Sequence, residues 1–221
     1  MDVEELLLLK CLNLNKIIRE YISLGLDLNL DIISEKYNID KNKVLKSKEK
    51  VKEIVDNCKE NRIDILGYFD NDYPLEFRNL KDFPLVIYKK GSLSNKPKLA
   101  VVGTRQPTKK AVDFAKEISI CAIENDYTII SGLAVGIDTI AHNMSIEKKF
   151  ETTAILPSNL TNIYPKININ LSEKILDNNG CLLTEYNFLD EIKKYHFINR
   201  DRLQAAYSLA VIVIESTKNG G

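Results

Sequence analysis

From residue 99 to residue 214 the chain repeats one pattern, a short run of apolar residues followed by a stretch with apolar residues at helical spacing. Leu99-Ala100-Val101-Val102-Gly103 opens the series, and Val112, Ala115, Ile118 and Ala122 then recur on one helical face. A strand that is apolar on both faces needs cover on both faces, and a parallel sheet with crossover helices supplies it. The pattern predicts strands at residues 99–103, 127–130, 152–156, 181–184 and 209–214. Helices are expected over 108–124, 136–148, 171–178 and 200–207. The expected fold is therefore α/β, an open, mostly parallel sheet with helices on both faces and right-handed crossovers.

What precedes this pattern is different in kind. Residues 1–60 carry helical spacing in short segments, the longest over 41–60, where Val44, Leu45, Val51, Ile54 and Val55 recur and Asp40 is placed to cap the first turn. Helices this short need packing to persist, so 1–60 is expected to be a small all-helical domain. Residues 61–98 form a connector with short strands near Ile63 and Leu85 and a turn at Asp70 to Pro74. The sheet domain occupies 99–221, and because a strand is followed at once by Asn219-Gly220-Gly221, a further strand–helix unit is expected to be missing.

Composition removes several classes. There is no apolar window of about 18 residues, so no membrane span is expected, and the acidic start Asp2-Val3-Glu4-Glu5 is unlike a signal peptide. The four cysteines stand singly without CxxC spacing, which suits reduced thiols in a cytoplasmic protein and neither a disulfide framework nor a zinc site. With 31 basic and 31 acidic residues, net charge says nothing of a polyanionic partner, and any such site must be a local patch. The lysines of 41–59 alternate with Glu49, Glu53, Asp56 and Glu60 and read as a solvated face.

Four places carry residues with chemistry in them. Gly103-Thr104-Arg105 follows the first strand directly, with Pro107-Thr108 opening the next helix. Glycine allows close backbone approach, helix N-terminal amides attract anions, and Arg105 adds a permanent planar cation. A plain strand-to-helix turn is the alternative. The second place is Ser131-Gly132-Leu133-Ala134-Val135-Gly136-Ile137-Asp138, a turn expected on the same sheet edge, where open sheets bind ligands. His142 falls four residues after Asp138 on one helical face, a pairing that fits a structural hydrogen bond better than a general base or a metal fragment. Third is Tyr164-Pro165-Lys166. Fourth is the run from Tyr195 to Arg202, where Arg200 and Arg202 stand near an expected helix start beside Tyr195 and Phe197. Cations beside rings suit a single-stranded nucleic acid, but an arginine paired with Asp201 or Glu215 over buried aromatics fits equally. Gly-x-Gly-x-x-Gly, Gly-x-Ser-x-Gly, His-Glu-x-x-His and a phosphate loop ending in Gly-Lys-Ser/Thr are all absent, so neither a cofactor nor a catalytic centre is expected.

Taken in order, Tyr73-Pro74, Pro84 to Tyr88 with Lys90-Gly91, Val102-Gly103-Thr104-Arg105, Ser131 to Asp138 with Ala141-His142, Tyr164-Pro165, Glu185-Tyr186, Arg200-x-Arg202 and Glu215 resemble the DprA/Smf family of bacterial DNA-processing proteins. The resemblance covers roughly 60–221, and the helical start is similar to the sterile-alpha-motif-like (SAM-like) domain of many members. It implies an extended Rossmann-like domain that binds single-stranded DNA, protects incoming DNA in natural transformation, loads the RecA recombinase and forms a homodimer. It makes Arg105, Lys166, Arg200 and Arg202 candidates for phosphate contacts and Phe197 for base stacking. Gly103, Thr104, Ser131, Gly132 and Gly136 would shape the pocket, and Asp138, His142 and Glu215 would be structural. Three departures stand out: Asp201 replaces the asparagine usual between the two arginines, Val135 stands where arginine is frequent, and Gly220-Gly221 replaces a Ser-Gly pair.

The main expectation is a non-enzymatic binder of single-stranded DNA. A nucleotide sensor and a nucleotide-processing enzyme on the same fold are the alternatives, the latter drawing on Asp138 and His142.

Overall fold

The computed structural model describes residues 1–26 and 28–216. The Gly220-Gly221 comparison therefore lies outside the described residues. Two compact units divide between Tyr88 and Lys89, inside the connector expected over 61–98.

The first unit holds α1 (Val3–Cys11), α2 (Asn15–Ser23), α3 (Leu30–Lys36), α4 (Lys41–Glu60), β1 (Asp64–Gly67), the short α5 (Leu75–Arg78) and the start of β2 (Val86–Gly91). The acidic start is a helix cap: the Asp2 side chain accepts from the Glu5 amide at 2.9 Å, and the Glu5 carboxylate accepts from the Asp2 amide at 3.0 Å. Leu6, Leu7, Leu8 and Leu9 are all buried, because α1 packs on α2, α4 and β1 and is covered all round. Asp40 caps α4 by accepting from the Asn42 amide.

The second unit runs through β3 (Lys98–Gly103), α6 (Lys109–Glu124), β4 (Thr128–Ser131), α7 (Ile137–Glu147), β5 (Thr152–Ile155), a single 3-10 turn (Lys166–Asn168), α8 (Ile169–Asp177), β6 (Cys181–Thr184), α9 (Lys194–Ala206) and β7 (Ala210–Ile214). Its strands lie in the order β6-β5-β4-β3-β7, and each of these pairings is parallel. The chain steps outward from β3 to β6 and then returns to the other side of β3, so the order reverses between β3 and β7. Loops leaving the C-terminal ends of strands at such a reversal border an open crevice.

The predicted alternation holds for β4, β5 and β6, whose every residue is buried. Three of their hydroxyls find carbonyls: Ser131 Oγ donates to Val101 at 2.6 Å, Thr152 Oγ1 to Ile129 at 2.7 Å and Thr184 Oγ1 to Leu156 at 3.1 Å, while Thr128 Oγ1 pairs with Ser94 Oγ. Val101, Ile129 and Ile214 from the sheet meet Ala111, Ala115, Ala122, Ile137 and Ala141 from α6 and α7 in one core. At the end of the order, β7 departs from the pattern, with Val211 at 42% and Val213 at 59% exposure despite its all-apolar sequence.

One boundary needs correcting. The last helix begins at Lys194, not at Arg200, so Tyr195 to Arg202 is helix throughout. Residues two apart on a helix point about 200° from each other. Arg200 and Arg202 therefore leave α9 on different sides.

Candidate functional site

Three segments meet at the C-terminal ends of β3, β4 and β5. The turn after β3 and the turn after β4 touch through backbone: Ile137 N–H donates to the Thr104 carbonyl at 3.2 Å. Gly136 lies against Thr104 and Arg105, with φ at +87°, and a Cβ there would stand 2.8 Å from the Arg105 Cα. Only glycine fits. The third segment is α9, whose Arg200 reaches into the sheet end and donates from Nη1 to the carbonyls of Gly132 at 2.6 Å and Ile155 at 3.1 Å. Gly132 leaves room for that guanidinium, since its missing Cβ would fall within 3 Å of Nη2.

Much of the positive charge and many of the amides here are already taken by the protein. Arg200 is 6% exposed, and its Nε donates to Asp201 Oδ1 at 2.7 Å. Arg202 holds Glu185 through Nη2, at 2.8 and 3.2 Å to its two oxygens. In the β4–α7 turn the Asp138 carboxylate accepts from the amides of Gly132 at 3.0 Å and Ala134 at 3.3 Å. Burial pushes the Asp138 carboxyl above its ordinary value, against the downward pull of Arg200 and those amides. At the start of α6 the Glu215 carboxylate accepts from the Thr108 amide at 2.7 Å, while Thr108 Oγ1 caps Ala111. The helix N-terminus that the sequence offered to an anion thus holds a carboxylate of the chain itself.

His142 is fully buried, with Nδ1 at 2.9 Å from Thr152 Oγ1. The Thr152 hydroxyl gives its proton to Ile129, so His142 Nδ1 is the donor. Burial first, and Arg200 second, push its pKa down to about 3. Ser131 is fully buried, its hydroxyl donating to the Val101 carbonyl beside the Asp138 carboxylate. Gly103 ends β3 beside Ile214, and the next amide, that of Thr104, donates to the Ile214 carbonyl at 3.3 Å.

Outside this interior stands another group. Arg105 is exposed, and its guanidinium carbon lies 5.6 Å from the centroid of the half-buried Phe197 ring. Tyr164 meets the same ring edge to face, with centroids 5.6 Å apart and planes at 82°. Lys166, two residues on, is exposed. The loop carrying Tyr164 is held from within: Asn159 Oδ1 accepts from the amides of Thr161 and Asn162, and Ser158 Oγ accepts from the Tyr164 amide at 3.2 Å. Of the five expected nucleic-acid contacts, the structure leaves Arg105 and Lys166 exposed and Phe197 half-buried, and folds Arg200 and Arg202 into internal bonds. The sequence reading missed the Tyr164 ring contact, the Glu185 partner of Arg202 and the Glu215 carboxylate at the start of α6, whereas the pairing of Arg200 with Asp201 is the alternative it left open. Spacing along α9 could have shown the arginines diverging, but nothing in the sequence points Arg200 at carbonyls 68 and 45 residues away.

Among the described residues no group of three or more His, Cys, Asp or Glu side chains is placed to hold a metal ion. No helix there is long and apolar enough to cross a membrane.

A parallel sheet whose strand order reverses between β3 and β7, glycine turns locked together beside that reversal and a ring-and-cation strip outside them define an open Rossmann-like domain. The chain belongs to the DNA recombination-mediator protein A family, whose model matches residues 64–221. It is 34% identical over 162 residues to protein Smf of Borreliella burgdorferi, covering 72% of this chain and 51% of that one. It is 35% identical over 154 residues to DNA processing protein DprA of Streptococcus pneumoniae, covering 69% and 54%. The chain thus spans about half the length of these curated relatives. The X-ray structure of the Streptococcus pneumoniae protein superposes with a TM-score of 0.81 at 25% identity, covering 100% of this chain and 80% of that one. DprA from Helicobacter pylori, described for its single-stranded DNA binding mode, superposes with a TM-score of 0.64 at 31% identity over 72% of each chain.

Proposed function

We propose that the strip formed by Arg105, Phe197 and Lys166 binds single-stranded DNA, and that the protein works by holding that strand without chemistry on it. The observation that carries this reading is the exposed Arg105 guanidinium set over the Phe197 ring at the sheet reversal. A phosphate takes the cation and a base takes the ring, the combination that binds single strands without reading sequence. Arg200 and Arg202 contribute by position, fixing α9, and with it Phe197, against the strand ends. The Helicobacter pylori relative binds single-stranded DNA, and its likeness in fold supports the same ligand class here.

On this reading the protein acts in the cytoplasm on DNA taken up in natural transformation, passes it to the RecA recombinase and works as a homodimer. The four N-terminal helices are its SAM-like module. These roles rest on family membership.

Fluorescence anisotropy with a labelled oligothymidine, repeated across a salt series, tests the binding. With about two phosphates neutralised, by Arg105 and Lys166, log affinity should fall against log salt with a slope of about −1.4. A duplex of the same length should bind more weakly, because its bases are stacked away from the ring. Equal affinity at low and high salt would overturn the proposal, as would a preference for duplex.

A further inference from the structure

Phe197 is the ring the sequence offers for stacking, yet the structure leaves it little free surface. Arg105 lies over it, and Tyr164 meets it at 82°. In an edge-to-face pair one ring gives its edge and the other gives a face. If Phe197 gives the face, its ring is shared between Arg105 and Tyr164, and the contact takes neither face of Tyr164. If Tyr164 gives the face, it still keeps the opposite one. In either arrangement the pair with Phe197 takes no more than one face of Tyr164, which is 42% exposed. Its backbone is fixed by the bond to Ser158, inside a loop where Ser158, Asn159 and Leu160 are buried. A fixed backbone beneath an exposed ring means little conformational freedom is lost when a base settles on it.

We infer that Tyr164 is the base-stacking platform of the site, taking one unpaired base of a single strand whose neighbouring phosphate lies on Arg105. The inference rests on the single-strand reading above. Perpendicular rings cannot both extend one continuous base stack, so a strand that uses Tyr164 bends at Phe197, which a flexible single strand does easily and a duplex does not. Phe197, half-buried, meets the strand at that bend and also holds Arg105 and Tyr164 in place.

The test compares oligothymidine with an abasic deoxyribose-phosphate strand of the same length, at low salt, on the parent chain, Tyr164→Leu and Tyr164→Phe. Tyr164→Leu should weaken oligothymidine binding by about tenfold or more and leave the abasic strand unchanged. Tyr164→Phe should stay within about twofold of the parent on both ligands. Thermal midpoints of the three proteins should agree, because the loop is held by backbone and Asn159 bonds and not by the ring. Parental affinity for oligothymidine in Tyr164→Leu would overturn the inference while leaving the binding proposal standing, as would equal losses on both ligands. A parent chain that binds neither strand would overturn both.

Discussion

The β3–α6 turn and the β4–α7 turn are written in similar residues and sit side by side, but they present opposite surfaces. The first puts Arg105 into solvent over an aromatic ring. The second folds inward around a buried carboxylate: Asp138 takes the Gly132 and Ala134 amides while the Gly132 carbonyl takes Arg200. A glycine turn after a parallel strand is thus either a binding edge or a bracket, depending on whether its amides already have an anion of their own. Here even the first turn has its helix start closed by Glu215, so what it offers a ligand is a side chain and not a nest of amides.

The contrast is broken most severely at Arg200. Arg200→Met removes a buried cation from two carbonyls and from the neighbourhood of Asp138, and should cost about 3–5 kcal/mol in urea denaturation. Arg105→Ala, on the exposed turn, should change stability by no more than about 0.5 kcal/mol and instead flatten the salt dependence of oligothymidine binding by about 0.7 in slope. Similar stability losses in the two variants would erase the distinction.

Next in size is the contact between the turns. Gly136→Ala combines a φ of +87° with a Cβ driven against Arg105 backbone. A loss of about 1–3 kcal/mol is expected, together with weaker oligothymidine binding because Arg105 must shift. Stability lost without any change in binding would show that the two turns act independently.

His142 sharpens the picture of the inner turn through pH. Its folded pKa is about 3 against an ordinary value of 6.5, so on acidification the unfolded chain takes up the proton first. Its contribution is complete above pH 6.5 and is lost as pH falls toward 3, at up to about 1.4 kcal/mol per pH unit. His142→Gln should lack that slope when thermal or urea unfolding is followed between pH 4 and 7 (a range of about three units). Parallel curves for the two proteins would mean the ring is solvated.

The smallest effect is expected at Asp201, whose half-exposed carboxylate holds Arg200 Nε at 2.7 Å. Asp201→Asn should raise oligothymidine affinity a few-fold at low salt, with the gain vanishing as salt screens it. Unchanged affinity at low salt would place Asp201 outside the field of the strand.

Much of the architecture was legible before any coordinates, and for local reasons. Runs such as Thr128 to Ser131 and Cys181 to Thr184 name their strands because both faces are apolar or carry hydroxyls that a neighbouring carbonyl can satisfy. The α9 start was not legible. Lys193 makes no side-chain cap, and Tyr195, His196 and Phe197 follow one another without helical periodicity, so no local signal marks the first turn. Arg200 and Arg202 lie inside the helix and diverge by about 200° whichever start is taken; what the earlier start decides is that Tyr195 and Phe197 belong to the same helix as the arginines.

The chain's own order of residues determined the parallel strands, the glycine turns after them and the set of cations and rings available at one sheet end, because period, chirality and turn chemistry act over a few neighbours. Only tertiary structure decided which guanidinium is buried, which carboxylate closes which helix start and which ring stays exposed. Those outcomes depend on groups tens of residues apart competing for the same few ångströms, as Arg200 does for Gly132 and Ile155, and short-range pattern carries no record of that competition.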